Sequence, residues 1–289
     1  MPHCPRCRTA RVKKDGRRPA GRQRFRCHAC RRTFTTRTYT PFARHRWPTE
    51  VILTAVRWYF GYRLSAADVR DLLAERHIDV SARTILSWAH KFDPLLRRAA
   101  HRTMRSAPGH RWWCDETYVR VGGRWAYLYQ AVDEGGRVID VLLRAQRDLA
   151  SAEAFFIRAT ARRQTVPTEV VTDKHQAYVG AVRKHASEAM HVRSGLHRAS
   201  GQTTKAIERS HLPIKERLRP MRGLHSIATG QRLLEGIEIT QAIRRGELRA
   251  TLRATIGDGD LAIKRCPYEA ARETVEIFTS LANDLCSAA

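Results

Sequence analysis

Hydrophobic positions follow different spacings along this chain, and each spacing predicts a different kind of structure. Residues 1–40 contain many Cys and Arg but few aliphatic side chains, too few for a core of their own. Residues 49–92 place apolar side chains at helical intervals, whereas aromatic and β-branched residues after Arg111 predict strands. Residues 41–48, bounded by two prolines, are expected to be a linker, and residues 93–109 a domain border.

The part of the chain after Arg111 predicts a mixed α/β fold. Gly122-Gly123 and Asp133-Glu-Gly-Gly136 are turn signals that divide the first stretch into three strands. Two adjacent valines in the short run 168–172 are typical of a strand at the centre of a sheet. The expected strands are 111–121, 124–132, 138–143, 168–172 and 190–192, and the expected helices are 148–163, 176–185, 203–218 and 226–245.

The charge balance indicates a polyanionic partner. The 289 residues include 53 Lys and Arg against 28 Asp and Glu, a formal net charge of +25. Nucleic acid is the usual partner of such a chain, because Lys and Arg release counterions from phosphates. An anionic membrane is the rival, yet no apolar run approaches the ~18 residues of a membrane span. Because the N-terminal residues also have no apolar signal segment, we expect a cytoplasmic protein with no membrane partner.

Four of the seven cysteines form two Cys-x-x-Cys pairs with 19 residues between them: Cys4, Cys7, Cys27 and Cys30. This spacing predicts a zinc ribbon in a reducing compartment, with four thiolates around one Zn²⁺. Four unrelated thiols are the alternative, and His3 or His28 could replace a cysteine as ligand. The arginines between and after the pairs favour contacts with DNA phosphates, with an ordinary solvated surface as the alternative.

Residues 49–92 predict three helices in a helix-turn-helix arrangement. Ser65 and Asp68 form a capping box, and Ser81 is expected to cap the last helix. In this arrangement the N-terminal residues of the last helix enter the DNA major groove. The residues expected to face outward on that helix are Arg83, Ser87 and His90, with Ala82 beside them. A small helical bundle with a purely structural role is the alternative.

Three carboxylates stand out in a chain with so few acidic residues. Asp115 interrupts an apolar strand, Asp173 follows the buried strand, and Glu208 lies in a basic helical segment. The intervals between them are 57 and 34 residues. Bringing three carboxylates together is unfavourable without a cation, whereas two divalent ions such as Mg²⁺ make them a clamp for phosphoryl transfer. Three unrelated carboxylates are the alternative.

This order of elements and acids resembles the DDE transposases of bacterial insertion sequences, whose catalytic domain has a ribonuclease H-like fold. More narrowly, the chain resembles the insertion-sequence-6 family, in which 34 residues also separate the second and third acidic residues. Many members carry an Asn pair before the Glu, where this chain has Thr203-Thr204. The resemblance covers residues 47–245, and a zinc ribbon precedes it in only part of the family. It rests on segments 63–76, 112–117, 127–133, 147–148, 171–174 and 208–211 and on Lys215.

The resemblance implies an α/β fold class, a ribonuclease H-like mixed five-stranded sheet flanked by helices, preceded by a zinc ribbon and a helix-turn-helix. The implied parts are a zinc ribbon at 1–40, a helix-turn-helix domain at 47–92, a DDE catalytic domain at 110–245 and a C-terminal helical tail at 246–289. Asp115, Asp173 and Glu208 are implied as ligands of Mg²⁺ or Mn²⁺. Lys215 is implied as a catalytic contact to the transferred strand, and Arg63 as a contact to DNA.

The implied activity is that of a DNA transposase. Such an enzyme binds the terminal inverted repeats of its element, cleaves a strand and joins the freed 3′-hydroxyl to target DNA, as a homodimer or larger assembly in the bacterial nucleoid. One alternative is a non-catalytic zinc-containing DNA-binding regulator with a degenerate catalytic domain. Another is a structure-selective nuclease that cuts strands without joining them.

Several residues close to the acidic triad have simpler interpretations. Glu116 adjoins Asp115, but neighbours on a strand point to opposite faces, so only one enters the site. His211 lies one turn after Glu208 and is expected to contact DNA, to orient a carboxylate or to lie on the helix surface. Asp133 is expected to be a turn residue, Asp148 a helix cap and Cys114 a core residue.

Overall fold

A computed structural model of the chain describes residues 2–18, 21–102, 108–193, 204–221, 223–247 and 275–280. The side chains of 101–102, 204–206, 208–209 and 220 lie outside this description. The described elements are a three-stranded sheet, a group of three helices, and a five-stranded sheet with helices on both faces. They follow one another in that order along the chain.

The N-terminal sheet is small and antiparallel. It consists of β1 (Val12–Arg17), β2 (Gln23–Cys27) and β3 (Thr33–Phe34). Its core is limited to Val12, Phe25 and Phe34, packed beside the buried Cys4 and Cys27. So little apolar surface does not stabilise a separate sheet in water, which agrees with the expectation that a metal holds this segment together.

The segment expected to be a linker, residues 41–48, packs against the helices. Phe42 is fully buried, and its ring stacks on that of Phe92 with 4.6 Å between centroids. Arg37, also buried, donates hydrogen bonds to the carbonyl oxygens of His45 and Trp47. The composition of this segment is that of a linker, but the sequence gives no sign that Phe42 finds its partner fifty residues later.

The three helices are α1 (Thr49–Gly61), α2 (Ala66–Ala74) and α3 (Ala82–Arg102). The capping box predicted at the start of α2 is present, with the Ser65 side chain and the Asp68 carboxylate each accepting from the backbone N–H of the other. The Ser81 hydroxyl accepts from the backbone N–H of Thr84 at the start of α3, as predicted. Local capping therefore sets where α2 and α3 begin.

Helix α3 continues well past the border expected from Asp93 onward. Pro94 lies inside the helix without ending it, because tertiary contacts outweigh the lost hydrogen bond. Leu96 and Ala99 are buried in the main core, and α3 packs against α7 (Ile227–Arg244). The Arg97 guanidinium lies 2.5 Å from a carboxylate oxygen of Glu235 on α7. The C-terminal half of α3 therefore packs with the helices that cover the five-stranded sheet.

The central sheet has the strand order β6-β5-β4-β7-β8. Strands β4, β5 and β6 are antiparallel to one another, while β7 and β8 run parallel to β4. This arrangement confirms the ribonuclease H-like fold class expected from the sequence. The bounds are β4 (Arg111–Val121), β5 (Arg124–Asp133), β6 (Val138–Arg144), β7 (Glu169–Thr172) and β8 (Met190–Arg193).

Helices cover the two faces of this sheet. On one face, α4 (Leu149–Arg163) and α5 (Gln176–His185) bury a core that includes Trp112 and Tyr129. On the other face, α6 (Thr204–Leu218), α7 and the three N-terminal helices share one larger core with Trp113 and Val171. Alternate side chains of β4 therefore enter different cores, as expected for a strand covered on both sides.

Most of the predicted C-terminal tail, residues 246–289, lies outside the described residues. Within it, residues 275–280 are helical, and Ile277 and Phe278 are buried in the larger core. Among the described residues, no helix combines the length and apolar composition needed to cross a membrane.

Candidate active site

Strand register places Asp115 and Asp173 next to each other. Trp113 on β4 is paired with Val171 on the parallel strand β7. Each aspartate follows two residues later, so both continue the same pair of strands on the same face of the sheet. The face is the one covered by α6, because Trp113 and Val171 both belong to the larger core. The predicted proximity of these two carboxylates is therefore present in the fold.

The surroundings of Asp115 disfavour its negative charge. Burial raises the pKa of Asp115 to about 6, and the charges of Glu116 and Asp173 act in the same direction. The positive charge of Arg147 opposes them without cancelling the effect. About a quarter of the side chain, 23%, stays exposed, so a small ion can reach it. A cation bound next to this carboxylate would stabilise its ionised form.

Arg147, in the loop between β6 and α4, joins the carboxylates across the end of the sheet. Its guanidinium binds Glu116 and donates to a carboxylate oxygen of Asp173 at 2.9 Å. Glu116 lies on the face opposite to Asp115, as predicted, and its almost buried carboxylate also accepts from the Tyr178 hydroxyl. The sequence motif contains Arg147, but no spacing rule predicts that it would bridge these two acids.

Helix α6 brings His211 to the same place. Its Nδ1 atom lies 4.0 Å from a carboxylate oxygen of Asp115, and its side chain is buried. Burial and the positive charge of Lys215 lower the pKa of His211 to about 4, so the ring is neutral near pH 7. Glu208 lies on α6 one turn before His211, and its side chain is outside the described residues. Helix α6 continues through Pro213, which places Lys215 one turn after His211. The Lys215 side chain is exposed.

The residues given simpler interpretations take the places expected for them. The Asp133 carboxylate is buried and accepts from the backbone N–H groups of Gly135 and Arg137 in the turn after β5. Asp148 is the N-cap of α4, with its carboxylate accepting from the backbone N–H of Ser151. Cys114 is fully buried in the core, which raises the pKa of its thiol well above the ordinary value.

The four predicted zinc ligands converge. All four sulfur atoms of Cys4, Cys7, Cys27 and Cys30 lie within 4.8 Å of one another. The Cys4–Cys30 and Cys7–Cys27 sulfur pairs are 3.6 Å and 3.5 Å apart. A tetrahedron with Zn–S bonds of ~2.3 Å has edges of ~3.8 Å, so the cluster fits one zinc ion and is too open for disulfides. His3 and His28 are not part of this group among the described residues.

The residues expected to contact DNA lie on the helical unit. Arg83, Ser87 and His90 are exposed along the first half of α3. Arg63, which follows α1, is also exposed, but its guanidinium lies 2.5 Å from a carboxylate oxygen of Glu216 on α6. This ion pair links the turn of the helical unit to the helix that carries Glu208 and His211.

A basic cleft between the ribbon and α1 was not predicted from the sequence. Two adjoining cavities of about 560 Å³ and 720 Å³ share three arginines, and the first also contacts one more in the ribbon and one in the segment before α1. The arginines that line the cleft are Arg18, Arg22, Arg37, Arg44 and Arg46. The sequence signal was the arginine density of 1–40, but only the packing of residues 41–48 places Arg44 and Arg46 opposite Arg22.

Three comparisons relate the chain to known proteins. A family model described as a DDE domain, of the IS240 transposase type, matches residues 109–247. The transposase for insertion sequence-like element IS431mec of Staphylococcus aureus (strain Mu50 / ATCC 700699) is 33% identical over 201 residues, covering 70% of this chain and 87% of that protein. The transposase for insertion sequence element IS257 in transposon Tn4003 of Staphylococcus aureus is 32% identical over the same shares. Among solved structures, the HTLV-2 integrase catalytic core domain in complex with magnesium is 18% identical, with a TM-score of 0.35 over 45% of this chain and 85% of that one.

Proposed function

This chain belongs to the insertion-sequence transposases with a DDE domain, the family of the IS431 and IS257 enzymes, and from that premise we propose that Asp115, Asp173 and Glu208 are its catalytic acids. In this proposal the enzyme cleaves the strand at the end of its element and joins the freed 3′-hydroxyl to target DNA. The observation that carries the proposal is the strand register, in which Asp115 within β4 and Asp173 just after β7 each follow a paired residue by two positions.

The two aspartates suit a divalent metal. Their donors are carboxylate oxygens, which Mg²⁺ and Mn²⁺ prefer. Burial, and after it the negative charges of Glu116 and Asp173, raise the pKa of Asp115, so a cation beside this carboxylate would stabilise its charged form. Glu208 would complete the site from α6, since His211 one turn later already contacts Asp115. Divalent ions held by these carboxylates would supply the positive charge that activates the attacking oxygen and stabilises the leaving oxygen in phosphoryl transfer.

The side chains around the acids hold them and the DNA in place. His211 stays neutral and fills the space beside Asp115 without adding a positive charge that would compete with a metal. Lys215 is exposed two turns after Glu208, where its ammonium group can bind a phosphate of the transferred strand. Arg147 donates to the Asp173 carboxylate and so fixes its orientation.

The N-terminal units would recognise the ends of the element. In this proposal Cys4, Cys7, Cys27 and Cys30 hold one Zn²⁺, and Arg83, Ser87 and His90 enter the major groove of the terminal inverted repeat. The basic cleft lies along the ribbon and would bind phosphates next to that groove. Arg63 would contact DNA at the junction with α6. A homodimer or larger assembly in the bacterial cytoplasm would hold both ends.

Strand-cleavage and strand-transfer assays on oligonucleotides with the flanking end sequences test the proposal. With Mg²⁺ or Mn²⁺ the wild-type protein is expected to cleave and join, while Asp173→Asn binds the ends normally and does neither. Glu188→Gln, which alters an exposed carboxylate outside the site, is the matched control and should retain activity. Tight binding of the ends without cleavage under any divalent ion would favour a non-catalytic regulator, and cleavage without joining would favour a nuclease.

A further inference from the structure

The face of the sheet opposite to Asp115 is only partly covered by helices. Trp112, Cys114 and Tyr129 on this face lie beneath α4 and α5. Farther along the β4–β5 hairpin, the side chains of Tyr118 and Trp125 are 57% and 58% exposed. Large aromatic side chains on a rigid, uncovered strand surface indicate a contact with another molecule, because their exposure to water is unfavourable.

The exposed side chains of Tyr118, Arg120 and Trp125 lie together with the partly buried ring of Tyr127, and these four residues form the aromatic platform. Tyr118 is paired across the strands with Tyr127, and Arg120 with Trp125, so all four share one face. The Tyr118 ring lies 5.2 Å from that of Tyr127 and 6.1 Å from that of Trp125, centroid to centroid. The Arg120 guanidinium covers the Trp125 ring at 5.0 Å.

The platform begins close to the candidate active site along β4, on the opposite face of the sheet. Tyr118 lies three residues after Asp115 on β4, a distance of ~10 Å along the strand. Between them on the platform face, Glu116 binds Arg147, which in turn donates to Asp173. The β4–β5 hairpin extends beyond the end of β7, so DNA that crosses the edge of β4 from the aspartates to the opposite face would reach these rings.

The arginines around the aromatic platform indicate which kind of molecule binds there. Arg120 belongs to the platform, Arg144 is paired with Tyr127 on the same face, and Arg147 lies at its inner edge. Glu116, the carboxylate closest to Tyr118 along β4, is already paired with Arg147. Aromatic rings interleaved with arginines match a nucleic acid strand, in which bases stack and phosphates are anionic. Bases inside a duplex are already stacked, so only unpaired bases gain from the rings.

We propose that the aromatic platform stacks unpaired bases of the DNA strand that flanks the cleavage position. This proposal rests on the proposed function, because it assigns the platform to the DNA that the catalytic acids act on. Trp125 is the principal contact, and Tyr118 and Tyr127 continue the surface toward the acids. Stacking tolerates any base, so the platform holds the strand without reading its sequence.

Binding of two probes to the full chain tests the proposal. One probe is a blunt duplex with the end sequence, and the other carries an unpaired extension with 2-aminopurine beyond the cleavage position. The wild-type protein is expected to bind the extended probe more tightly and to quench 2-aminopurine. Trp125→Ala should weaken binding of the extended probe at least fivefold and leave the blunt probe unchanged. Trp125→Phe should restore binding, and Ile157→Ala, equally exposed on α4, is the matched control.

Other results would overturn the proposal. If Trp125→Ala binds both probes like the wild type, the platform does not stack bases. If it weakens both probes equally, or changes the oligomeric state in sedimentation, the platform is a structural surface or a subunit interface. Cleavage of the blunt probe is measured in parallel. If the wild-type protein cleaves this probe and Trp125→Ala does not change binding, only the proposal about the platform is refuted. A wild-type protein that neither binds nor cleaves removes the proposed function as well.

Discussion

The Nδ1 atom of His211 lies 4.0 Å from a carboxylate oxygen of Asp115. This contact joins α6 to the central strand β4, and Glu208 lies one turn before the histidine on the same helix. A neutral imidazole beside a carboxylate with a raised pKa leaves that carboxylate short of positive charge. In the metal-free protein the ionised Asp115 carboxylate therefore lowers the free energy of unfolding, and this effect can be measured.

Asp115→Asn should stabilise the metal-free protein above pH 6. A carboxyl whose pKa is higher in the folded chain than in the unfolded chain opposes folding wherever it is ionised in both. The pKa of Asp115 rises from 3.8 to about 6, so the penalty is full above about pH 6 and absent below about pH 4. We expect the free energy of unfolding at pH 8 to rise by about 1–3 kcal/mol, measured by urea denaturation with a chelator present.

The same variant should lose the stabilisation that Mg²⁺ or Mn²⁺ gives the wild type. At pH 4 the two proteins should unfold at the same urea concentration, and Glu188→Gln should match the wild type at both pH values. A lower stability of Asp115→Asn at pH 8 would show that the carboxylate is already compensated within the protein, contrary to this account.

Arg147→Gln should destabilise the fold through Glu116. The Glu116 side chain is only 3% exposed, so removing Arg147 leaves a buried charge with the Tyr178 hydroxyl as its remaining partner. We expect a loss of about 2–3 kcal/mol in the free energy of unfolding, because unpairing a buried charge exposes its desolvation cost. The double variant Arg147→Gln/Glu116→Gln should recover most of that loss. Additive effects of the two substitutions would contradict the pairing.

Removing zinc should unfold the ribbon and spare the rest of the chain. Five of the six tryptophans lie in the helices and the central sheet, so tryptophan fluorescence reports mainly on these parts, and only Trp47 lies beside the ribbon. A strong chelator is expected to release one zinc ion per chain and to weaken binding of the element's ends, with little change in tryptophan emission. Zn²⁺ should restore the wild type, whereas Mg²⁺ should not, and Cys27→Ser should not recover with either ion. Full end binding by the zinc-free protein would contradict the role given to the ribbon.

Arg83→Ala should reduce the preference for end-sequence DNA over scrambled DNA. Arg83 is exposed at the start of α3, where a bidentate contact to a base is worth about 1–3 kcal/mol of discrimination. The expected change is a five- to hundredfold fall in the affinity ratio, measured by competition binding at fixed salt. Arg63→Ala serves as a comparison, since that guanidinium is paired with Glu216 and should affect both DNAs similarly. If Arg83→Ala leaves the ratio of the two affinities unchanged, Arg83 on α3 does not recognise the bases of the end sequence.

Local patterns were enough to predict much of the fold and of the site. The alternation in β4 and the paired valines of β7 place Asp115 and Asp173 on one face, and capping residues mark the starts of α2 and α3. Contacts between distant segments could not be predicted in this way. The bridge from Arg147 to Glu116 and Asp173 depends on how a loop folds back over the sheet.

Two further features escaped prediction because packing outweighed local preference. The composition of residues 93–109 indicates a domain border, yet Leu96 and Ala99 are buried in the larger core and α3 continues through this segment. The segment around Phe42 has the composition of a linker, but one aromatic ring buried against Phe92 is enough to fix it. Such contacts gain free energy from partners that only the folded chain brings together.

The uninterrupted course of α3 from Ala82 to Arg102 has a geometric consequence for evolution of the enzyme. Its 21 residues form a rod of ~32 Å whose first turns carry Arg83 and whose last turns are fixed to Glu235. Adding or deleting one residue in the middle of this rod would swing Arg83 by ~100° around the axis. Under the proposed function, the number of residues in α3 therefore sets the angular position of the base-reading side chains relative to the catalytic acids.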